Sequence, residues 1–167
     1  MTESTVWHLV QLNVAYAAAP LDSPQLADFM AALVPINALA DASPGFVWRL
    51  VGSGDNATDV TVDGRPGLLV NMSVWASAEA LFDFVYKSAH AKIMARRREF
   101  FQKMDVFLVL YWVPAGHMPT MQEAIAKLEH LRAHGPTPEA FTFKQRFPPP
   151  GMPGDPVNMR PEPYCVL

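Results

Sequence analysis

An α+β fold built on one antiparallel sheet is what this chain predicts, and three observations predict it. Between Val6 and Val113 the apolar patterns run strand, helix, strand, strand, helix, strand. A polar, glycine-bearing loop, not a helix, joins the two middle strands, so that pair sits between two helical crossovers. Of the 167 residues 50% are hydrophobic and only 17% are charged, which favours a packed globule over a disordered chain.

Each element has its own signal. Residues 7–16 alternate, with Trp7, Leu9, Gln11 and Asn13 on one face and Val10, Leu12 and Val14 on the other. Little charge on either face predicts a strand buried from both sides. Ser23-Pro24 is an N-cap followed by proline at the first helical position. Leu26, Phe29, Met30, Leu33, Ile36 and Leu39 then recur at helical spacing, and Pro35 inside this pattern predicts a kink or break. Ser43-Pro44-Gly45 ends the helix, and the second strand spans Phe46 to Val51. Residues 52–67 form a loop, and Leu68 to Trp75 alternates as the third strand. One long second helix is predicted from Ser77 to about Met104, then an apolar strand from Phe107 to Val113. Thr120-Met-Gln-Glu123 is a capping box opening a third helix, which Gly135 and Pro136 close.

This order is the split βαβ, ferredoxin-like arrangement, in which the first and third strands are neighbours. Such a sheet is usually covered by helices on one face and by a partner subunit on the other. The low charge density fits either a hidden oligomer face or a roomy apolar pocket. Residues 1–135 read as one domain with its C-terminal helix. Residues 136–167, with nine prolines in the last 32, read as an extended tail, loose or lying along a neighbouring surface.

Bulk properties exclude several classes. A net charge of −3 and the lack of an aromatic-basic signature on the central strands argue against nucleic-acid binding. The single cysteine, Cys165, excludes an internal disulfide framework and does not sit fourth from the end, as prenylation requires. The first residues, Met1 to Thr5, lack the pattern of a signal peptide, and no apolar run approaches the about 20 residues that span a bilayer. A cytoplasmic protein with no membrane partner is expected.

Two segments carry candidate chemistry. On the second helix Phe82, Tyr86, Ala89, Ile93 and Phe100 fall on one stripe, with His90, Met94, Arg97 and Phe101 on the shoulder beside it. A half-shielded histidine can move a proton or ligate haem, and an arginine two turns away can hold a carboxylate or developing oxyanion. Equally, the histidine can bond to backbone, while Arg96 and Arg98 belong to a solvated face. On the third strand Asn71, Ser73 and Trp75 point one way, and Asn13 and Gln11 share a face of the neighbouring strand. A buried amide without a partner costs about 1–3 kcal/mol, so these groups bond either to one another or to a ligand. Asn13, Gln11, Trp75, Tyr86, Met94 and Phe101 are the expected substrate contacts. His130 and His134, at i and i+4, lack a third metal ligand, Gly52-Ser-Gly54 lacks the helix of a phosphate loop, and Asn56-Ala-Thr58 matches a glycosylation acceptor only in a secreted chain.

The Asn-x-x-x-Trp strand followed by a helix with a central histidine resembles the dimeric α+β barrel superfamily. Asn37-Ala-Leu-Ala-Asp-Ala-Ser-Pro-Gly-Phe-Val-Trp-Arg49, Leu69-Val-Asn-Met-Ser-Val-Trp75, Ser88-Ala-His90 through Arg98, and Pro114-Ala-Gly-His117 are similar to a bacterial family of unknown function within it. The resemblance implies a homodimer paired through the outer sheet face and a pocket between each sheet and its own helices. Members resembling antibiotic-biosynthesis monooxygenases imply a cofactor-free oxygenase acting on an aromatic or polycyclic compound, with roles for Asn71, Trp75 and one of Arg96 or Arg97. Haem-binding members imply an axial ligand at His90. A third reading, from another class, is a non-catalytic dimer, either hydrophobic-ligand-binding or stress-associated. In the oxygenase reading Asn71 and Trp75 orient a carbonyl, and His90 with Arg97 assists deprotonation and steadies the anion.

Overall fold

The computed structural model describes residues 5–158; Cys165 and the end of the proline-rich stretch lie outside the described residues. β1 (Trp7–Tyr16) runs through the middle of an antiparallel sheet. It pairs with β3 (Leu68–Trp75) on one side and with β4 (Leu108–Pro114) on the other, while β2 (Phe46–Arg49) pairs with β3. The order β2-β3-β1-β4 is that of the split βαβ arrangement. Leu9 lies opposite Trp75, Gln11 opposite Ser73 and Asn13 opposite Asn71, so these six side chains share one sheet face. Val10, Leu12, Met72, Val74, Val109 and Tyr111 occupy the other face and are buried. β2 is shorter than the predicted strand, and its register shifts between Phe46 and Trp48.

Over the first face lies α1 (Ala27–Asp41), entered through a 3-10 turn at Pro24–Leu26. The helix runs through Pro35 without a break. Pro35 is on the exposed side of α1, where water can satisfy the carbonyl that loses its partner. Gly45 makes the turn from α1 into β2 at a φ of +81°, and an added Cβ would lie 2.5 Å from the Cβ of Ala80. Both the left-handed backbone and the close helix require glycine, so Gly45→Ala should cost more than about 1 kcal/mol. A denaturant midpoint equal to the native one would contradict this.

The long second helix expected from Ser77 to Met104 is instead three pieces: α2 (Ala78–Lys87), α3 (His90–Met94) and α4 (Arg97–Phe100). Ser77 caps α2 as predicted, its hydroxyl accepting from the Ala80 N–H. The break has a local cause, because Ser88 is extended and its hydroxyl bonds back to the Phe84 carbonyl. A second cause is distant: Phe101 bridges to Ala17, and Gln102 N–H donates to the Tyr16 carbonyl. The expected stripe therefore does not hold. Ala78, Leu81 and Val85 are the buried residues of α2, while Tyr86 packs on Phe82 and Phe143.

α5 (Met121–His134) opens with the predicted capping box, Thr120 and Glu123 bonding reciprocally. Its Ala124, Leu128 and Leu131 are buried, and Lys127 sits 5.8 Å from the ring of Tyr111, which places α5 on the second sheet face. Arg65 pairs with Glu129 at 3.0 Å and ties the loop before β3 to the same helix. The chain thus covers with its own α5 the face assigned above to a second subunit. The stretch after α5 is also built in: Phe141 exchanges both backbone bonds with Leu110, and Ala140, Phe141 and Phe143 are buried. Farther on, β5 (Gln145–Arg146) pairs with β6 (Val157–Asn158).

Candidate functional site

A cavity of about 160 Å³ lies between the first sheet face and the layer formed by α1, α2 and α3. It exists because the inner side of α1 does not press onto the sheet: Phe29, Leu33 and Ile36 are only half-buried, and Ala40 is the buried residue of that helix. An apolar cavity of about this size accommodates a benzene ring. Its polar lining is Gln11, Asn13, Asn37, Arg49, Asn71, Ser73, His90 and Arg97, with Asn56 and Thr58 from the loop before β3.

The first polar element is a relay whose direction is set by chemistry. Trp75 Nε1 donates to Ser73 Oγ at 2.9 Å, and Ser73 Oγ contacts Gln11 Oε1 at 2.9 Å. An indole N–H can only donate, so the serine oxygen accepts it and has one hydrogen left to give. That hydrogen goes to the Gln11 carbonyl oxygen, which leaves the Gln11 amide NH₂ as the donor at the end of the chain. Trp75 itself is a wall. Phe46 and Phe84 pack on its ring and its single donor is engaged with Ser73, so it has none to orient a substrate carbonyl, as the resemblance implied.

The second element is a set of free amides. Asn13 and Asn71 lie opposite each other, yet neither side chain bonds to the other or to any described residue. Asn71 is exposed although buried Val70 and Met72 flank it, because the cavity opens above it. Asn37, on the inner side of α1, joins them without a side-chain bond to any described residue. It was missed in the sequence, where an asparagine between Ile36 and Ala40 on an apolar stripe was the available signal.

The third element is Arg97, only 9% exposed and lining the cavity. Its guanidinium lies 3.8 Å from the centre of the Phe107 ring and 5.1 Å from that of Phe101, and one Nη donates to the Val14 carbonyl at 3.3 Å. No acidic side chain among the described residues pairs with it. Burial lowers its pKa to about 10, so it remains a cation at neutral pH without a counter-ion. Arg96 instead bridges Asp28 and Glu99 at the surface, and Arg98 is exposed. Of the three adjacent arginines, Arg97 is the one the cavity receives.

His90 is the fourth. Its Nδ1 lies 3.4 Å from the Val85 carbonyl and its ring tilts against Phe84 at 4.9 Å. A carbonyl only accepts, so Nδ1 carries the proton and Nε2 presents a lone pair. Burial lowers the pKa of His90 to about 4. A phenol near 10 would have to lose its proton to this group about six powers of ten uphill, so His90 accepts hydrogen bonds rather than protons. The same shift sets a pH dependence. Between the ordinary value of 6.5 and about 4 the unfolded chain holds the proton and the folded chain does not. Stability is therefore full above pH 6.5 and falls on acidification toward pH 4, by at most about 1.4 kcal/mol per pH step. Replacing His90 by leucine should flatten that part of the profile in urea titrations; parallel profiles for the two proteins would refute it.

Met94 and Phe101 line the cavity, whereas Tyr86 does not, being turned toward Phe143. Arg49, not foreseen, lines it with its guanidinium bound to both oxygens of Asp41. His130 and His134 stack on each other at the far end of α5. Asn56 forms a turn with Thr58, and Asp59 binds Ser53 where a side chain on Gly52 would sit. Among the described residues no cluster of three or more His, Cys, Asp or Glu could hold a metal. His90 is neutral, as an axial haem ligand must be.

The model of a family described as a domain of unknown function, DUF3291, matches residues 8–155. The chain belongs to the DUF3291 family. Residues 8–155 take in all of the four-stranded sheet but Trp7, together with α1 to α5 and the segment that packs against β4. No curated protein matches this DUF3291 chain. Among solved structures it is similar to a Nitrosomonas europaea protein of unknown function, with 17% identity and a TM-score of 0.42 over 70% of this chain and 99% of the other. It is also similar to a candidate antibiotic biosynthesis monooxygenase from Chloroflexus aurantiacus, with 14% identity and a TM-score of 0.41 over 68% of this chain and 98% of the other. No helix among its described residues is long and apolar enough to cross a membrane.

Proposed function

We propose that this DUF3291 chain is an oxygenase-like enzyme that binds a small hydroxylated aromatic compound in the cavity and lets its anion react with molecular oxygen, without a bound cofactor. The observation that carries the reading is Arg97, a buried cation with no counter-ion among the described residues, beside amides that bond to none of them. A fixed cation in an apolar site favours an anionic over a neutral substrate, because its charge is compensated there. Asn71, Asn13 and the Gln11 NH₂ supply donors to the ring's oxygens, and the aromatic walls hold the ring plane. Balance requires that a phenol and one O₂ give a ring hydroperoxide, which loses water to leave the quinone. The phenol proton passes to solvent at the mouth, since His90 is too weak a base.

The neutral His90 also supports a second reading, capture of the same ligand without turnover. An oxygen electrode separates the two. Oxygen uptake with small di- and trihydroxybenzenes should fall at least tenfold in Asn71→Ala, with the unfolding midpoint close to native. Binding with no uptake in the native protein would leave ligand capture; full activity in Asn71→Ala would remove Asn71 from the site.

A further inference from the structure

We infer that the ligand is a single-ring aryl carboxylate bearing a hydroxyl group, with its carboxylate at Arg97 and its hydroxyl donating to Nε2 of His90. This names the substrate class for the function proposed above and rests on the same cavity being the site. Three observations lead to it. First, the two ends of the cavity differ, one holding a cation and the other a neutral acceptor. Arg97 lies at the Val14 end of β1, while His90 packs on Phe84, which stacks on Trp75 beside Leu9 at the opposite end of the strand pairing. Asn13, Asn71 and Gln11 lie between these levels.

Second, the cation is permanent at neutral pH. A phenol is neutral there and would bring no charge until it ionised, whereas a carboxylate is an anion throughout the range. The ligand that compensates Arg97 in its resting state is therefore a carboxylate. With one Nη hydrogen on Val14, the guanidinium keeps enough N–H groups for a two-pronged bond to both carboxylate oxygens. At the other end His90 offers an acceptor with no partner of its own among the described residues, which selects a hydroxyl over an ether or a carbonyl. Third, about 160 Å³ within the walls accommodates one ring, so a fused second ring has to project through the mouth.

Calorimetric titration of the full-length chain with 3- and 4-hydroxybenzoate, the corresponding hydroxybenzamides, and 6-hydroxy-2-naphthoate tests all three. A hydroxybenzoate should bind at least a hundredfold more tightly than its amide, with the naphthoate at least tenfold weaker, and the preference for the acid should vanish in Arg97→Met. The amide differs only in charge, so equal binding of acid and amide would overturn the carboxylate while leaving an aromatic site. Equal binding of the naphthoate would overturn the single ring. Binding of none of the compounds, with a native unfolding midpoint, would overturn both this inference and the cavity as an aromatic site.

Discussion

Arg97→Met is expected to stabilise the protein by about 1–2 kcal/mol while weakening anion binding on the order of a hundredfold. The two effects share one cause. Taking a guanidinium out of water costs several kcal/mol, and here no carboxylate offsets it. What does offset it is one bond to the Val14 carbonyl, about 1 kcal/mol, and the faces of Phe107 and Phe101, about 1–2 kcal/mol together. Methionine keeps a long apolar chain between the rings without the charge. A residue that lowers stability in the free protein is kept for what it does in the bound one, and a two-pronged charge-assisted pair is worth two or more powers of ten in affinity. Urea denaturation of the ligand-free variant decides the point. A loss of stability would make Arg97 a structural cation, tying α4 to β1, and the anion site would lose its main support.

The second large effect is expected at Leu128. This residue is fully buried on the inner side of α5, against the sheet face that carries Val10, Leu12, Val109 and Tyr111. Leu128→Ala should cost about 2–5 kcal/mol and lower Tm by roughly 5–15 °C. The number follows from α5 being a fixed layer of the core rather than an appendage. If a second subunit covered the sheet, α5 would sit elsewhere and the substitution would cost little. Light scattering complements it: with both sheet faces covered by the chain itself, the expected mass is that of one chain. A dimer whose dissociation accompanies loss of Leu128 would restore the subunit pairing that the resemblance implied.

The strands were legible because their signal is local. Alternation in residues 7–16 and 68–75 returns β1 and β3 residue for residue, and the capping box marks the start of α5 at Met121. The second helix was misjudged for the same reason. Its apolar spacing continues through residues 88–89 and 95–96, while the bonds that stop it come from Ser88 and from β1, about 85 residues back in the chain. The wheel drawn through the break put Tyr86 beside His90, where the structure turns it toward Phe143.

The candidate site divides along the same line. That Asn13, Asn71, His90 and Arg97 are unusual residues for apolar segments was visible in the chain. Which of them have partners was not, since a partner is a contact between residues far apart. Ser73 finds Gln11 across 62 residues and engages the indole of Trp75, whereas Asn13 and Asn71, equally placed by pairing, find nothing. Arg96 and Arg97 are adjacent, yet one meets Asp28 and Glu99 and the other meets two phenyl rings. By itself the sequence determined the strands, their order of neighbours and the polar residues on the inner face, because side-chain alternation and capping act over a few residues. Only the tertiary structure decided that α5 closes the second sheet face, that a cavity of about 160 Å³ stays open under α1, and that Arg97 meets no carboxylate among the described residues. Each of these depends on surfaces the chain brings together only by folding.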